Sequence, residues 1–169
     1  MAIVATLVLG ADGSSSIHGN SLGISSSVDR ERFLVRRRLS DCLVIGGRTA
    51  SSDRYQKTPV PLVVLSHSRP DVIDINPKAH WWNLSPAEAV HRAKREFGDR
   101  ILIEAGVSII SELLDIGMID QLELSVTQVS GGENRIATED LLRHFKVVNE
   151  SQVDDTTFYS CSEPIRTPK

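Results

Sequence analysis

Cysteine is scarce in this chain: Cys42 and Cys161 are the only two in 169 residues. Both stand in apolar, strand-like stretches with no metal-ligand spacing around them, so they read as buried free thiols of a reducing compartment. Long apolar runs are also missing. The run at the N-terminus, AIVATLVLG, is too short to span a bilayer and carries no basic leader, so it reads as a first core strand and a cytoplasmic location is expected. A basic excess is absent: 19 Lys and Arg against 22 Asp and Glu leave a formal net charge of −3. That argues against a broad nucleic-acid surface, while a few local arginines would still suffice to hold a polyanionic small molecule. There are no repeats, no heptads and no low-complexity segments beyond serine clusters. What is present, 40% hydrophobic and 24% charged residues, is ordinary for a globular protein. The length suits a single domain over residues 1–169 that buries a core without metal or cross-link.

Two strand–turn–helix junctions carry most of the chemical information. In Asp41–Asp53, DCLVIGGRTASSD, and in Ile101–Val126, ILIEAGVSIISELLDIGMIDQLELSV, a β-rich apolar run ends in a glycine turn. Small or hydroxyl residues then open what the pattern predicts to be a helix. Such a junction points unpaired N–H groups and the positive helix end at one spot, where a phosphate can dock. Two of them in one α/β domain suggest a nucleotide held across the carboxyl ends of a sheet. The second also shows its exit, with Gly117 as a helix C-cap and Gln121–Val126 as the next strand.

Elsewhere the pattern predicts a strand over Ile3–Leu9, a polar loop through SSSIHGNSLGISSS, and a basic helix over Asp29–Leu39 with Phe33 and Leu34 facing inward. A buried strand is expected at Pro61–Ser66 and a polar turn at His67–Pro70. The stretch Asp71–Leu84 is irregular, with room for one short strand. Ser85, Pro86 and Glu88 form a capping-box start for a helix that runs through Ala89, Val90, Ala93 and Phe97 and stops at Gly98. Ser130–Asn134 reads as a loop and Leu141–Phe145 as a short helix or turn. The C-terminus reads as an antiparallel hairpin turning at Asp154–Asp155, followed by a frayed tail over Pro164–Lys169. Strands alternating with helices imply a mostly parallel mixed sheet covered on both faces, with the hairpin as an antiparallel edge.

These pieces resemble the dihydrofolate-reductase-like three-layer fold, and within it the pyrimidine reductase of riboflavin biosynthesis, the reductase half of the bifunctional deaminase–reductase. The resemblance rests on Asp12–Gly13 after the first strand, the GNSLGIS segment ending at Ser25, and paired arginines ahead of Asp41-x-Leu43-Val44-Ile45-Gly46. Thr49-x-x-x-Asp53 and the ILIEAG…LLDIGMIDQL block complete it. It covers about four-fifths of the chain by order of elements. Departures accompany it. Glu104-Ala105-Gly106 replaces a Glu-Gly-Gly, Leu34 stands where a histidine is common, Arg54 follows Asp53 where a second Asp and a Pro are usual, and serines follow Asp12–Gly13. The stretch between Ser66 and Ile101 is short. No zinc-deaminase signature is present, which points to a stand-alone reductase.

The resemblance implies NADPH, with Gly46, Gly47, Arg48 and Thr49 at one phosphate and Glu104, Ala105, Gly106, Val107 and Ser108 as the second cradle. Ser66, His67, Ser68 and Arg69 would recognise the 2′-phosphate. It implies a 5′-phosphorylated ribosylamino-pyrimidine substrate, reduced at its sugar to the ribityl form. Arg37 would meet the phosphate, helped by Ser25 and Arg30, while Asp53 and Glu104 would position sugar hydroxyls or relay a proton. His18 stands in a loop able to close over the site. A homodimer, with no nucleic acid and no membrane, is the expected assembly. Two other readings remain open: a dihydrofolate reductase or related reductase, with Asp29 or Glu31 gripping a pteridine, and a catalytically degenerate member that binds a nucleotide or a partner. In the last case an exposed Trp81–Trp82 pair would mark a partner surface, and a buried pair would mean core packing.

Overall fold

The computed structural model describes residues 2–166; the end of the expected tail, residues 167–169, lies outside them. Eight strands form one sheet: β1 (Ala2–Leu9), β2 (Cys42–Gly46), β3 (Leu62–Leu65), β4 (Ala79–Trp82), β5 (Arg100–Ile103), β6 (Gln121–Val126), β7 (Phe145–Val153) and β8 (Thr156–Pro164). Their order is β4-β3-β2-β5-β1-β6-β8-β7. Strands β1 to β6 pair in parallel, and β8 runs antiparallel to both β6 and β7. The hairpin turns at Asp154–Asp155, with Asp154 at φ 51° and Val153 opposite Thr156. The helices are α1 (Ser27–Leu39), α2 (Val72–Ile75), α3 (Pro86–Phe97), α4 (Val107–Asp115) and α5 (Thr138–Leu142).

Alternation along the central strands divides the core into two layers. Val44, Val63, Ile101 and Ile103 pack with Ala89, Val90 and Ala93 of α3 and Ile110, Leu113 and Leu114 of α4. Leu43, Ile45, Leu62, Val64 and Leu102 pack on the other face with Ala50, Tyr55 and Val72. Both β2 and β3 are buried along their whole length, as continuous apolar runs in a doubly covered parallel sheet must be. At about 1.5–3 kcal/mol for each large side chain withdrawn from water, these short strands anchor the sheet that carries the glycine turns.

The capping box of α3 forms as its sequence dictates: Ser85 accepts from the Glu88 N–H, and Glu88 accepts from the Ser85 N–H at 3.1 Å. Gly117, at φ 65°, ends α4, and the Gly117 and Met118 N–H groups bond to the Leu114 and Leu113 carbonyls in a Schellman pattern. The irregular stretch resolves into α2 and the edge strand β4. Because neighbours on a strand face opposite ways, the tryptophan pair is split. Trp82 is buried and stacked on Phe97, whereas Trp81 is 39% exposed and donates its indole N–H to the Ser66 carbonyl.

Helix α1 departs from expectation. It begins two residues early, at Ser27, capped by Ser26, and its buried residues are Asp29 and Arg37. Phe33 is half-buried, and Leu34 is 44% exposed instead of facing inward. The reason is the surface beneath it. The strands there offer Thr6, Glu123 and Ser125: Arg36 donates to Thr6 and Glu123, and Ser125 donates to Asp29. A helix seated on a polar row turns its charged stripe inward and leaves apolar residues outside.

Candidate active site

The carboxyl ends of β2 and β5, the start of α1 and the loop after β1 surround one cleft of about 1000 Å³. Both glycine junctions open onto it. Gly46, Gly47, Arg48 and Thr49 line it from the first, and Glu104, Ala105, Gly106, Val107 and Ser108 from the second.

The first junction is not the strand–helix turn the pattern suggested. After Gly47 the chain makes two 3-10 turns, Thr49–Ser51 and Asp53–Tyr55, with no side-chain cap. No summed helix dipole therefore faces the cleft there. Gly47 has a packing reason for being glycine: a Cβ would lie 2.9 Å from the Ser66 Oγ. The second junction is a true helix start. Gly106 caps α4 without a side-chain bond, leaving first-turn N–H groups available. Its φ of −69° suits any residue, and a Cβ there would meet nothing within 4 Å. Neither backbone nor neighbours demand glycine at this point. Open space beside bare N–H donors is what a pyrophosphate approaching the backbone requires, so the residues present fit a dinucleotide.

Glu104 anchors the floor. Its side chain is only 1% exposed, yet it meets three donating groups. Arg37 donates from Nε to Oε1 at 2.9 Å and from Nη2 to Oε2 at 2.7 Å, and the Tyr55 hydroxyl donates to Oε2 at 2.9 Å. Burial pushes the Glu104 carboxyl up, against the pull of Arg37 and Tyr55. Burial and the neighbouring carboxylate push the Tyr55 phenol well up, which keeps it a donor. Arg37 also donates to the Arg54 carbonyl at 3.2 Å, and Asn76 ties down the Tyr55 carbonyl at 2.9 Å. The network is closed on the protein side, and its carboxylate borders the cleft.

The mouth is formed by two loops clamped together. Asp12 accepts from the Ser14 hydroxyl, from the Gly131 N–H at 2.8 Å, and from Arg135 at 3.2 Å. These bonds, the Ser14 hydroxyl first, hold its carboxyl down at about 2. His18, at φ 51°, sits on the rim with Arg135.

Several residues singled out in the sequence lie elsewhere. Arg37 does not line the cleft, because its guanidinium is consumed beneath Glu104. Ser25 donates to Asp29 at 2.5 Å, and Arg30 is exposed on α1. Asp53 is exposed and accepts from Gln56, since the 3-10 turn directs it outward. Arg69 is held by Asp74 through two 2.7 Å bonds at the surface. Ser66, with His67 and Ser68, borders a smaller hollow of about 450 Å³ beside Gly47 and Arg48. Conversely, Arg54, Tyr55 and Arg135 reach the cleft without having been anticipated. Arg54 was visible only as a departure from the family pattern; Tyr55 and Arg135 carried no local signal.

A family model described as the RibD C-terminal domain matches residues 2–156. A comparison with curated protein sequences finds no match. Among solved structures, a diaminohydroxyphosphoribosylaminopyrimidine deaminase/5-amino-6-(5-phosphoribosylamino)uracil reductase from Thermotoga maritima is similar, with a TM-score of 0.72 at 17% identity. The match covers 96% of this chain and 56% of that protein, so the chain spans little more than half its length. A pyrimidine reductase-like protein from Corynebacterium diphtheriae gives 0.72 at 17% identity, over 98% of this chain and 92% of that one. A dihydrofolate reductase from Enterococcus faecalis, complexed with NADP(H), gives 0.69 at 14%, over 95% and 96%. Identities this low show the fold, which is dihydrofolate-reductase-like. With the family model spanning nearly its whole length, the chain belongs to the RibD C-terminal domain family.

Proposed function

We propose that this protein is an NADPH-dependent reductase acting on a 5′-phosphorylated ribosylamino-pyrimidine, converting the ribosyl group to ribityl, and that it works as a homodimer. The observation that carries this reading is the meeting of both glycine junctions in a single cleft that extends over α1. Its lining joins the backbone of both junctions to Asp29, Phe33 and Tyr55. Bound NADPH would supply the hydride. Gly46–Thr49 and Gly106–Ser108 would hold its phosphates through N–H and hydroxyl donors. The hollow bordered by Ser66, His67 and Ser68 would take the 2′-phosphate, and Arg69 would join only by leaving Asp74.

No protein nucleophile is required. The chain's task is to hold two carbons in near-attack geometry, which alone lowers a barrier by roughly 7–11 kcal/mol. Glu104 suits a positioning role. Oε2 is crowded by Arg37 and Tyr55, whereas Oε1 retains capacity to accept from a substrate hydroxyl. Asp53 takes no part in this scheme. A second reading has its own support: the Asp29 carboxylate is buried on the first helix and borders the cleft, as recognition of a pteridine by a dihydrofolate reductase would need.

The test is a thermal shift with NADPH against NADH, followed by loss of nicotinamide absorbance with the pyrimidine substrate or with dihydrofolate. Ligand at a hundredfold its dissociation constant adds about 2.7 kcal/mol, or roughly 5–11 °C for this size. A shift for NADPH alone, with turnover of the pyrimidine, is expected. No shift with either nucleotide abandons the proposal, and turnover of dihydrofolate alone transfers it to the second reading.

A further inference from the structure

Arg54 is the one residue whose buried side-chain nitrogen lacks a partner among the described residues: its Nη2 is shut off from solvent and bonded to nothing. Among the described residues its guanidinium makes no ion pair: the carboxylate that acts on it, Glu104, is already taken by Arg37. It lies 5.7 Å from the centroid of the Phe33 ring, which Arg37 approaches to 4.4 Å. Arg54 and Phe33 both line the cleft. Burial pushes the Arg54 guanidinium down, and Arg30 and Arg37 add to that push. A partly desolvated cation with Arg30 and Arg37 near it, on a residue that lines the cleft, is an unfavourable arrangement for the empty chain. An incoming anion would be attracted by these cations together and would give the Arg54 guanidinium the acceptor it lacks.

We infer that Arg54 is the anion-gripping residue of the cleft, the group that binds the phosphate ester of the substrate, in the role the sequence suggested for Arg37. This deepens the proposed function and rests on it for the identity of the substrate. The chemistry is that of a planar fork of N–H donors meeting a dianion, with charge-assisted bonds to two oxygens. The placement assigns Arg54 to the substrate half, next to Phe33 of α1. The cofactor phosphates have their own donors at the two glycine junctions.

The test compares Arg54→Gln and Arg54→Lys with the unaltered protein. Three readouts are taken: apo melting temperature, ribose 5-phosphate binding by phosphorus NMR titration, and NADPH binding by fluorescence. Apo Arg54→Gln should melt at or above the unaltered protein, because a partly buried cation without an ion-pair partner is removed. Its ribose 5-phosphate affinity should fall at least about tenfold, with Arg54→Lys intermediate. NADPH affinity should stay within about twofold. Unchanged ribose 5-phosphate affinity in Arg54→Gln overturns the inference, as does a lack of binding by the unaltered protein at tens of millimolar. A loss confined to NADPH also overturns it, reassigning Arg54 to the cofactor. If the unaltered protein fails to bind NADPH but binds ribose 5-phosphate through Arg54, the reductase reading fails while the anion site stands.

Discussion

Replacing Arg37 with methionine would leave Glu104 as a carboxylate inside the protein with Tyr55 as its remaining donor. The side chains of Arg37 and Glu104 are 5% and 1% exposed, so water does not compensate for the lost bonds. The Arg54 carbonyl loses its donor as well. Breaking a buried pair by removing one partner costs about 3–5 kcal/mol. At about 3 °C per kcal/mol for a chain of this length, the melting temperature should fall by roughly 9–15 °C. The double variant Arg37→Met/Glu104→Gln should regain much of this, because a neutral amide still accepts from Tyr55 without a buried charge. The loss should also depend on pH. Burial already pushes the Glu104 carboxyl up, and removing Arg37 takes away the main opposing pull. Proton uptake by a group raised on folding stabilises the fold fully below its unfolded value. That gain disappears as pH rises through the folded value. The deficit of Arg37→Met should therefore shrink as pH is lowered from neutral toward the ordinary carboxyl range. Thermal melts of the two single variants and the double over that range make the cycle. A fall of less than about 3 °C, or additive losses in the double variant, would refute the reasoning and mean that the pair is solvated.

Gly106→Ala should leave stability unchanged or raise it by up to about 1 kcal/mol, since φ is ordinary and the added methyl meets nothing. NADPH affinity should fall in the same variant, and thermal shifts with and without nucleotide separate the two effects. Asp12 is depressed to about 2, so the loop clamp is complete above the ordinary aspartate value and is lost as pH falls through about 2. Asp12→Asn should mimic that loss at neutral pH, seen as faster hydrogen exchange at the Gly131 amide. Cys42 and Cys161 are fully buried with thiols pushed up to about 12 and about 11. Neither should react with a thiol reagent until the protein unfolds, when both should.

Periodicity and punctuation made most of the fold legible. Apolar runs at LVIG, LVVL and ILI announced buried parallel strands, and the Ser85–Glu88 box and Gly117 announced helix ends, because each depends on residues adjacent in the chain. The glycine junctions were legible as loci for the same reason. The internal conformation of the first was not, since TASSDRY serves a helix start and a pair of 3-10 turns equally well. The charged inward face of α1 was hidden too. Phe33 and Leu34 looked like the buried side only while the surface under the helix was unknown, and that surface is built from Thr6, Glu123 and Ser125, distant in the chain.

The sequence by itself determined the elements, their order, the two glycine turns and the shortage of cysteine that leaves both thiols free, all local or compositional properties. Only the tertiary structure decided which charge meets which. Arg37 and Glu104, 67 residues apart, neutralise each other, and that pairing removes Arg37 from the cleft and leaves Arg54 facing it unpaired. Pairing of charges depends on distance and burial in three dimensions, and neither is encoded in the spacing of residues along the chain.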